Sequence, residues 1–340
     1  MADIITVKNL VKLYDPDIRA VDNISFTVTQ GEVFGFLGPN GAGKSTAIKV
    51  LTTLLKKTSG EVKIKGFDVE DDARDIRGLI GYASQETGID IDLTGRENIN
   101  LQCRYYHIPR EKAQQKTNEL LKTVGLSDVA DRIAGTYSGG MKRRLDLATA
   151  LVSDPEILFL DEPTTGLDPQ SRRAIWDHIR DLNRKGTTIF LTTQYMEEAD
   201  QLAHRLCIID NGKIVAEGEP GKLKGQIGAD MIKLTVKNGE DANVINRTLD
   251  AVRQLPGVKE VQDCTRGGID CSEGVVIYSV DGSNLVPLIV RSLDLEHIEI
   301  DNLVLAKPSL DDVFIKFTGK QLRTDLQKVP PKAGFRHRRR

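Results

Sequence analysis

Gly38-Pro39-Asn40-Gly41-Ala42-Gly43-Lys44-Ser45-Thr46 has the glycine spacing of a phosphate-binding loop. The glycines let the backbone curl until successive N–H groups face one phosphate, and the helix that follows adds positive potential at its N-terminus. Lys44 is placed to meet the β- and γ-phosphates of a nucleotide, and Ser45 to ligate Mg2+. Farther on, Ile157-Leu158-Phe159-Leu160-Asp161-Glu162 reads as a buried apolar strand ending in two carboxylates. Asp161 is expected in the coordination shell of the Mg2+. Glu162 is expected to orient and polarise an attacking water as general base. Gln85 closes another strand, where a neutral amide can reach both the cation and the water.

A different kind of signal is Tyr137-Ser138-Gly139-Gly140-Met141-Lys142-Arg143-Arg144-Leu145, a Ser-Gly-Gly turn that opens a basic helix. Ser138, Gly139 and Gly140 offer backbone N–H groups, a hydroxyl and a helix N-terminus to a γ-phosphate. The loop at 38–46 already covers one side of its own nucleotide, so this turn is free to serve a nucleotide held by a second subunit. Leu167-Asp168, with Pro169 at the first helical position, is expected to line the same seam. Asp168 also reads as a helix N-cap. Tyr14, in the loop expected between the first strands, offers an aromatic face for adenine.

The elements that must position these residues alternate along the chain. Short strands at Ile4–Val7, Ser25–Val28 and Glu32–Leu37 lead into the loop, and an amphipathic helix at 47–55 is expected to bury Ile48, Leu51, Leu54 and Leu55. Thr94 and Glu97 form a capping box ahead of helices at about 95–107, 110–124 and 139–152. From Glu156 the strand and helix alternation resumes, which suits a doubly wound α/β core with a helical insertion. After Gly228 the order becomes βαββαβ, a small ferredoxin-like pattern without a catalytic cluster. The expected domains are therefore 1–226 for nucleotide chemistry, with a helical subdomain at about 90–152, and 229–319 as an accessory α+β module. A basic tail follows at 320–340.

Composition narrows the classes further. With 47 basic and 49 acidic residues, the chain as a whole is not built to bind a nucleic-acid polyanion. No run reaches the roughly 18 apolar residues of a membrane span, and no signal-peptide pattern opens the chain. The four cysteines, Cys103, Cys207, Cys264 and Cys271, lack metal-ligand spacing and read as thiols of a reducing cytosol. The tail holds eight basic residues against one acid, Asp325. It reads as solvated and disordered, with contact to anionic lipid headgroups as the alternative. His107, His178, His204, His297 and His337 read as surface or helix-packing residues, and Trp176 as core.

Taken in order, the loop at 38–46, Gln85, YSGGM, ILFLDE and TTGLD resemble the ATP-binding subunits of ABC transporters over about residues 1–225. The stretches YSGGMKRRLDLATAL and LTTQYMEEADQLAHR are most similar to the daunorubicin/multidrug-resistance exporter group, and Lys307–Phe314 resembles that group's C-terminal region. The resemblance implies an α/β P-loop ABC ATPase core: a RecA-like lobe, an antiparallel β subdomain and a helical subdomain. It implies ATP and Mg2+ as ligands, and a head-to-tail homodimer at the cytoplasmic face of the membrane driving a separate ABC-2-type permease for export. Two positions depart from the pattern. Met141 stands where many members carry Gln, and Gln194 stands where most have a switch histidine. A glutamine can donate a hydrogen bond to the γ-phosphate but cannot carry a titrating proton. Glu162 alone is then expected to supply the base, with Gln194 sensing the phosphate. Export of lipid or polysaccharide, a nucleotide switch without transport, and an importer ATPase stay open as rivals. A soluble role on nucleic acid is disfavoured, because 38–46 and Ser138 lie too close for a coiled-coil insertion.

Overall fold

The computed structural model describes residues 2–15, 18–226, 230–239, 241–263, 274–279, 281–306 and 309–318. The expectations for the basic tail, Cys264, Cys271 and His337 lie outside them. The chain opens with β1 (Asp3–Asp15), β2 (Ile18–Thr29) and β3 (Val33–Leu37), followed by α1 (Lys44–Leu51), β4 (Ser59–Ile64) and β5 (Phe67–Asp68). Next come α2 (Ala73–Leu79) and β6 (Ile80–Ala83), then the helical insertion of α3 (Gly95–Tyr105), α4 (Arg110–Thr123) and α5 (Gly139–Ala150). The alternation returns with β7 (Ile157–Asp161), α6 (Pro169–Arg184), β8 (Thr188–Thr193), α7 (Met196–Leu202), β9 (Arg205–Asp210), β10 (Lys213–Gly218) and α8 (Pro220–Gly225). Last are β11 (Asp230–Val236), α9 (Ala242–Arg253), β12 (Val258–Asp263), β13 (Val275–Ser279), α10 (Gly282–Leu295), β14 (Ile300–Ala306) and α11 (Leu310–Thr318).

Three sheets organise these elements. The first is antiparallel, in the order β2-β1-β4-β5. The second runs β10-β9-β3-β8-β7-β6, parallel except for β10. Every residue of β3, β7 and β8 is buried, as a parallel sheet covered on both faces requires. Phe26 of β2 meets Phe34 and Phe36 of β3 and Phe190 of β8, with ring centroids 5.4–6.0 Å apart. These contacts fasten the antiparallel sheet over the central one. Truncating Phe190, which also touches Phe159, to Ala would cost about 3–5 kcal/mol.

The third sheet has the order β12-β13-β11-β14, with α9 and α10 contributing buried Ile245, Leu249, Val252, Leu285, Ile289 and Leu293 to its core. That is the ferredoxin-like arrangement expected from the βαββαβ order. Helix α11 leaves this module and packs Leu310, Val313 and Phe314 among Leu37, Met196, Leu206, Ile208 and Leu223 around the central sheet.

Several local expectations change. Strands β1 and β2 are far longer than their alternating centres suggested, because they pair with each other from Asp3 opposite Thr29 to Asp15 opposite Ile18 and absorb their irregularities as bulges. Tyr14 consequently sits on β1 rather than in a loop. Helix α1 begins at Lys44 and ends at Leu51, so Leu54 falls beyond it and is 60% exposed instead of buried. Helices α8 and α11 were not anticipated; both are short, and their apolar faces only make sense against the core they cover. The Thr94–Glu97 capping box forms as expected, with Thr94 Oγ1 accepting the Glu97 N–H at 3.1 Å and Glu97 Oε2 accepting the Thr94 N–H at 2.8 Å.

Candidate functional site

The loop after β3 is held in shape from below. The Gly38 N–H donates to the Thr193 carbonyl at 3.2 Å, and the Ala42 carbonyl accepts the Gly212 N–H at 2.9 Å. Gly43 has φ +105, and a Cβ there would stand 2.3 Å from the Ala20 carbonyl oxygen. Only glycine fits both the dihedral and the approach. Gly38, Pro39 and Ala42 thus shape the loop. Asn40, Gly41 and residues 43–46 line an open cleft of about 290 Å³, together with Ala20, Gln85 and Glu162.

Lys44 opens α1 and folds its side chain back into the loop. Its Nζ donates to the carbonyls of Gly38 at 2.8 Å and Pro39 at 3.0 Å, and lies 3.1 Å from Glu162 Oε1. Burial holds the Lys44 ammonium below the usual lysine range, with the Glu162 carboxylate pulling the other way. A bound phosphate would add to the compensating charge that Glu162 and, more weakly, Asp161 supply.

At the end of β7, Asp161 Oδ1 accepts hydrogen bonds from Ser45 Oγ at 3.2 Å and from Thr192 Oγ1 at 2.5 Å. The chain then turns sharply. Glu162 takes φ +48, an uncommon conformation for a residue with a Cβ, and the Thr192 hydroxyl and carbonyl both accept its N–H at 3.1 Å. Glu162 Oε2 is approached by Thr165 Oγ1 at 3.1 Å and by Gln85 Nε2 at 3.4 Å. A hydroxyl, a carboxylate and an amide around one space suit Mg2+, which takes oxygen ligands and keeps several waters. Among the described residues no cluster of His, Cys, Asp and Glu could cage a metal by protein groups alone. A Mg2+ held at Ser45 and Asp161 would therefore complete its shell with phosphate and water.

Other candidates surround this cleft at different distances. Tyr14 is about half exposed at its edge, its hydroxyl 3.3 Å from Thr46 Oγ1. Gln194 follows β8, half buried, and is not among the residues that line the cleft. Ser138 caps α5 by accepting the Met141 N–H at 3.3 Å, and both it and Gly139 are exposed. Gly140 is buried, and a Cβ on it would lie 2.5 Å from Ser171 Oγ on α6. Gly139 faces Leu167, and Asp168 caps α6 by accepting the N–H groups of Gln170 and Ser171, each at 3.0 Å. Ser138, Gly139 and the Leu167-Asp168 segment therefore share one solvent-facing side of the fold.

Sequence reasoning missed the groups that hold these parts together. Arg143, buried on α5, donates to the carbonyls of Ser84, Asp161 and Pro163 and pairs with Asp146 at 2.9 Å. Their i,i+3 spacing was visible, but opposite charges three apart usually mark a solvated helix face. Glu198 is wholly buried, with Oε1 accepting from Thr164 Oγ1 at 2.8 Å and Trp176 Nε1 at 3.0 Å. Its burial raises the carboxyl pKa, and Oε2 has no partner. Trp176 is core, as expected, with this one polar contact. The histidines are peripheral: His204 Nδ1 accepts the Val33 N–H at 3.1 Å, and His107 and His297 sit at φ +52 and +53 just past helix ends.

Comparison with known proteins bears on the family and the fold. Residues 21–165 match the family model described as ABC transporter. The daunorubicin resistance ATP-binding protein DrrA3 of Streptomyces coeruleorubidus is 40% identical over 95% of this chain and 98% of its own length. The Nod factor export ATP-binding protein I of Burkholderia thailandensis is 46% identical over 68% of this chain and 76% of its own. Among solved structures, the dimeric ATP-binding cassette MJ0796 bound to ADP and Pi superposes with a TM-score of 0.58 and 28% identity, over 63% of this chain and 98% of that one. The cbiO1 protein of Clostridium perfringens, part of the complex cbiONQ, shares the fold at 24% identity and a TM-score of 0.62, over 66% of this chain and 91% of that one.

Proposed function

The chain belongs to the family of ABC transporter ATP-binding proteins, and from that premise we propose that it hydrolyses ATP in a head-to-tail homodimer to drive export through a separate ABC-2-type permease. One observation carries this reading. Lys44, Ser45, Gln85 and Glu162 converge on a single cleft, whereas Ser138 and Gly139 are exposed outside it. A site so divided is completed by a second copy.

In the proposed cycle the triphosphate enters along the loop and takes the place of Glu162 beside Lys44. Lys44 and the loop N–H groups then hold the β- and γ-phosphates. Mg2+, when bound at Ser45 and Asp161, neutralises phosphate charge. Gln85 orients the water, and Glu162 takes its proton as the oxygen attacks the γ-phosphorus. The bond from that phosphorus to the bridging oxygen breaks, leaving ADP and phosphate. Gln194, next to the Thr193 carbonyl that holds Gly38, contributes a hydrogen bond to the γ-phosphate and no proton. Ser138, Gly139 and Gly140 of the other copy close the site. Tyr14 stacks on adenine from the cleft edge.

No helix among the described residues is long and apolar enough to cross a membrane. In this reading the permease provides the passage, and this subunit docks on its cytoplasmic face. Ser84 and Gly88, on either side of Gln85, wall a second cleft of about 410 Å³ that also exposes Leu54 and Tyr106. A permease segment seated there would feel any movement of Gln85. In this scheme residues 1–226 carry the nucleotide chemistry and 229–319 support the dimer, with α11 bridging the two. The DrrA-type relatives favour a drug or antibiotic as cargo, and the Nod factor relative keeps a lipid or polysaccharide as the alternative.

The test is phosphate release by the purified chain with ATP and Mg2+, compared with Glu162→Gln. Loss of a general base is expected to lower turnover by about 10²–10⁴-fold. Near-normal turnover in Glu162→Gln would overturn the role of Glu162. A wild type that binds ATP without releasing phosphate would favour a nucleotide switch.

A further inference from the structure

We propose that Arg143 and Asp146 are positioning residues which lock both catalytic strand ends to the helix that Ser138 opens, so that closure on one nucleotide aligns the other site. The proposal rests on the dimeric reading above and adds a physical link between its two sites.

The link is visible in the bonds of one guanidinium. Arg143 Nε donates to the Pro163 carbonyl at 2.9 Å, Nη2 to the Asp161 carbonyl at 3.2 Å, and Nη1 to both the Ser84 carbonyl and Asp146 Oδ2. Asp146 Oδ1 accepts the Gly88 N–H at 2.9 Å. The pair thus grips the backbone on both sides of Glu162, at 161 and 163, and on both sides of Gln85, at 84 and 88. These are the residues that must share one water molecule. Both Arg143 and Asp146 are more than nine-tenths buried, so water does not compete for these bonds.

Arg143 is also five residues from Ser138 along a single helix. At about 1.5 Å per residue, the end that meets the partner's phosphate and the fork that holds this subunit's catalytic backbone are only about 7–8 Å apart. A helix is stiff over that length. When the partner's nucleotide draws Ser138 inward, the fork must carry residues 84–88 and 161–163 with it. Arginine alone has the planar five-donor fork for this; lysine keeps the charge but loses the plane. A pair present only to fill the core would need no contact with four backbone groups in the two segments that flank the catalytic residues.

Arg143→Lys in the full-length protein separates these possibilities. Its fold is checked by the unfolding midpoint and by the emission of Trp176, the one tryptophan. The expected result is unchanged KM for ATP, a fall in kcat on the order of 10²-fold from catalytic groups displaced by about 1 Å, and a Hill coefficient dropping from near two towards one. A fall in kcat with cooperativity retained would limit the pair to its own site and overturn the coupling. Unchanged kcat would overturn the whole proposal. If Arg143→Lys does not fold, Asp146→Asn keeps an acceptor for Gly88 while losing the charge, and the same two readouts apply. If the wild type releases no phosphate, the ATPase reading is what fails. Amide exchange then judges the pair alone: residues 84–88 should lose protection in Arg143→Lys, and unaltered protection refutes the clamp.

Discussion

The ammonium of Lys44 lies 3.1 Å from Oε1 of Glu162, with both side chains under 5% exposed. The residue expected to hold phosphate and the residue expected to activate water are thus each other's counter-ion. Charges buried this deeply need a partner, because desolvation of each costs several kcal/mol. An incoming γ-phosphate offers Lys44 a stronger partner and frees the Glu162 carboxylate. The pair therefore keeps the base engaged until substrate arrives.

Replacing Lys44 by Ala removes the phosphate ligand and leaves Glu162 buried and unpaired. Expected consequences are a fall of at least about 10²-fold in kcat/KM and a loss of roughly 3 kcal/mol in stability. Phosphate release and the urea midpoint measure the two effects. Wild-type activity in this variant would remove the loop from the active site.

Ser138→Arg acts on the other half of the site. Ser138 is exposed and touches none of the cleft residues of its own chain, so ATP binding by the isolated subunit should be unchanged. Turnover should nearly vanish, since the arginine side chain fills the space meant for the partner's γ-phosphate. The lost helix cap should cost only about 1 kcal/mol. Fluorescent-nucleotide titration beside phosphate release distinguishes the outcomes; equal loss of both would mean that Ser138 acts in cis.

Gly43→Ala tests the geometry of the loop itself. The new methyl group would meet the Ala20 carbonyl oxygen at 2.3 Å in a backbone held at φ +105. Strain of about 1–3 kcal/mol is expected, relieved by opening the loop, with ATP affinity falling at least about tenfold. Calorimetric titration with ATP would expose an error here, because unchanged affinity means the loop tolerates a side chain.

Glu198 gives a pH dependence whose sign follows from its burial. Its carboxyl pKa is raised above the ordinary 4.5 by desolvation, with Thr193, Thr164, Trp176 and Arg172 pulling it back. A carboxyl with a raised folded pKa contributes its stability in full below the unfolded value and loses it as pH rises through the folded value. Glutamine keeps the acceptor for Trp176 and Thr164 without that loss. Glu198→Gln should therefore unfold later than wild type, by a margin in melting temperature that widens as pH rises above the ordinary carboxylate range. A margin that shrinks with pH would show that the carboxylate is ionised in the fold.

Much of the site was legible because its chemistry demands residue types in fixed local order. A phosphate loop has to be contiguous, so Gly41, Gly43, Lys44 and Ser45 announce it, and the apolar strand before Asp161 announces its own burial. Local reach also explains why the Thr94–Glu97 box and the Asp168 cap could be read off directly. The lengths of β1 and β2 were not legible, because the two pair with each other from Asp3 opposite Thr29 to Asp15 opposite Ile18 through repeated register shifts that break the alternation marking a strand. Leu54 misled for a related reason: periodicity cannot tell where a helix stops without a neighbour to stop it.

By itself, then, the order of residues determined the family and the class of chemistry to expect, because those signals depend on contacts within a few positions. Tertiary structure alone decided how they are held. Arg143 reads as one more cation on a basic helix until the fold surrounds it with the carbonyls of Ser84, Asp161 and Pro163. Glu198 reads as a surface acid until Trp176 closes over it. Glu162 reads as a strand end until Thr192 turns its backbone to φ +48. Each of these depends on groups brought together from distant parts of the chain, where burial rather than spacing sets the strength of a charge or a hydrogen bond.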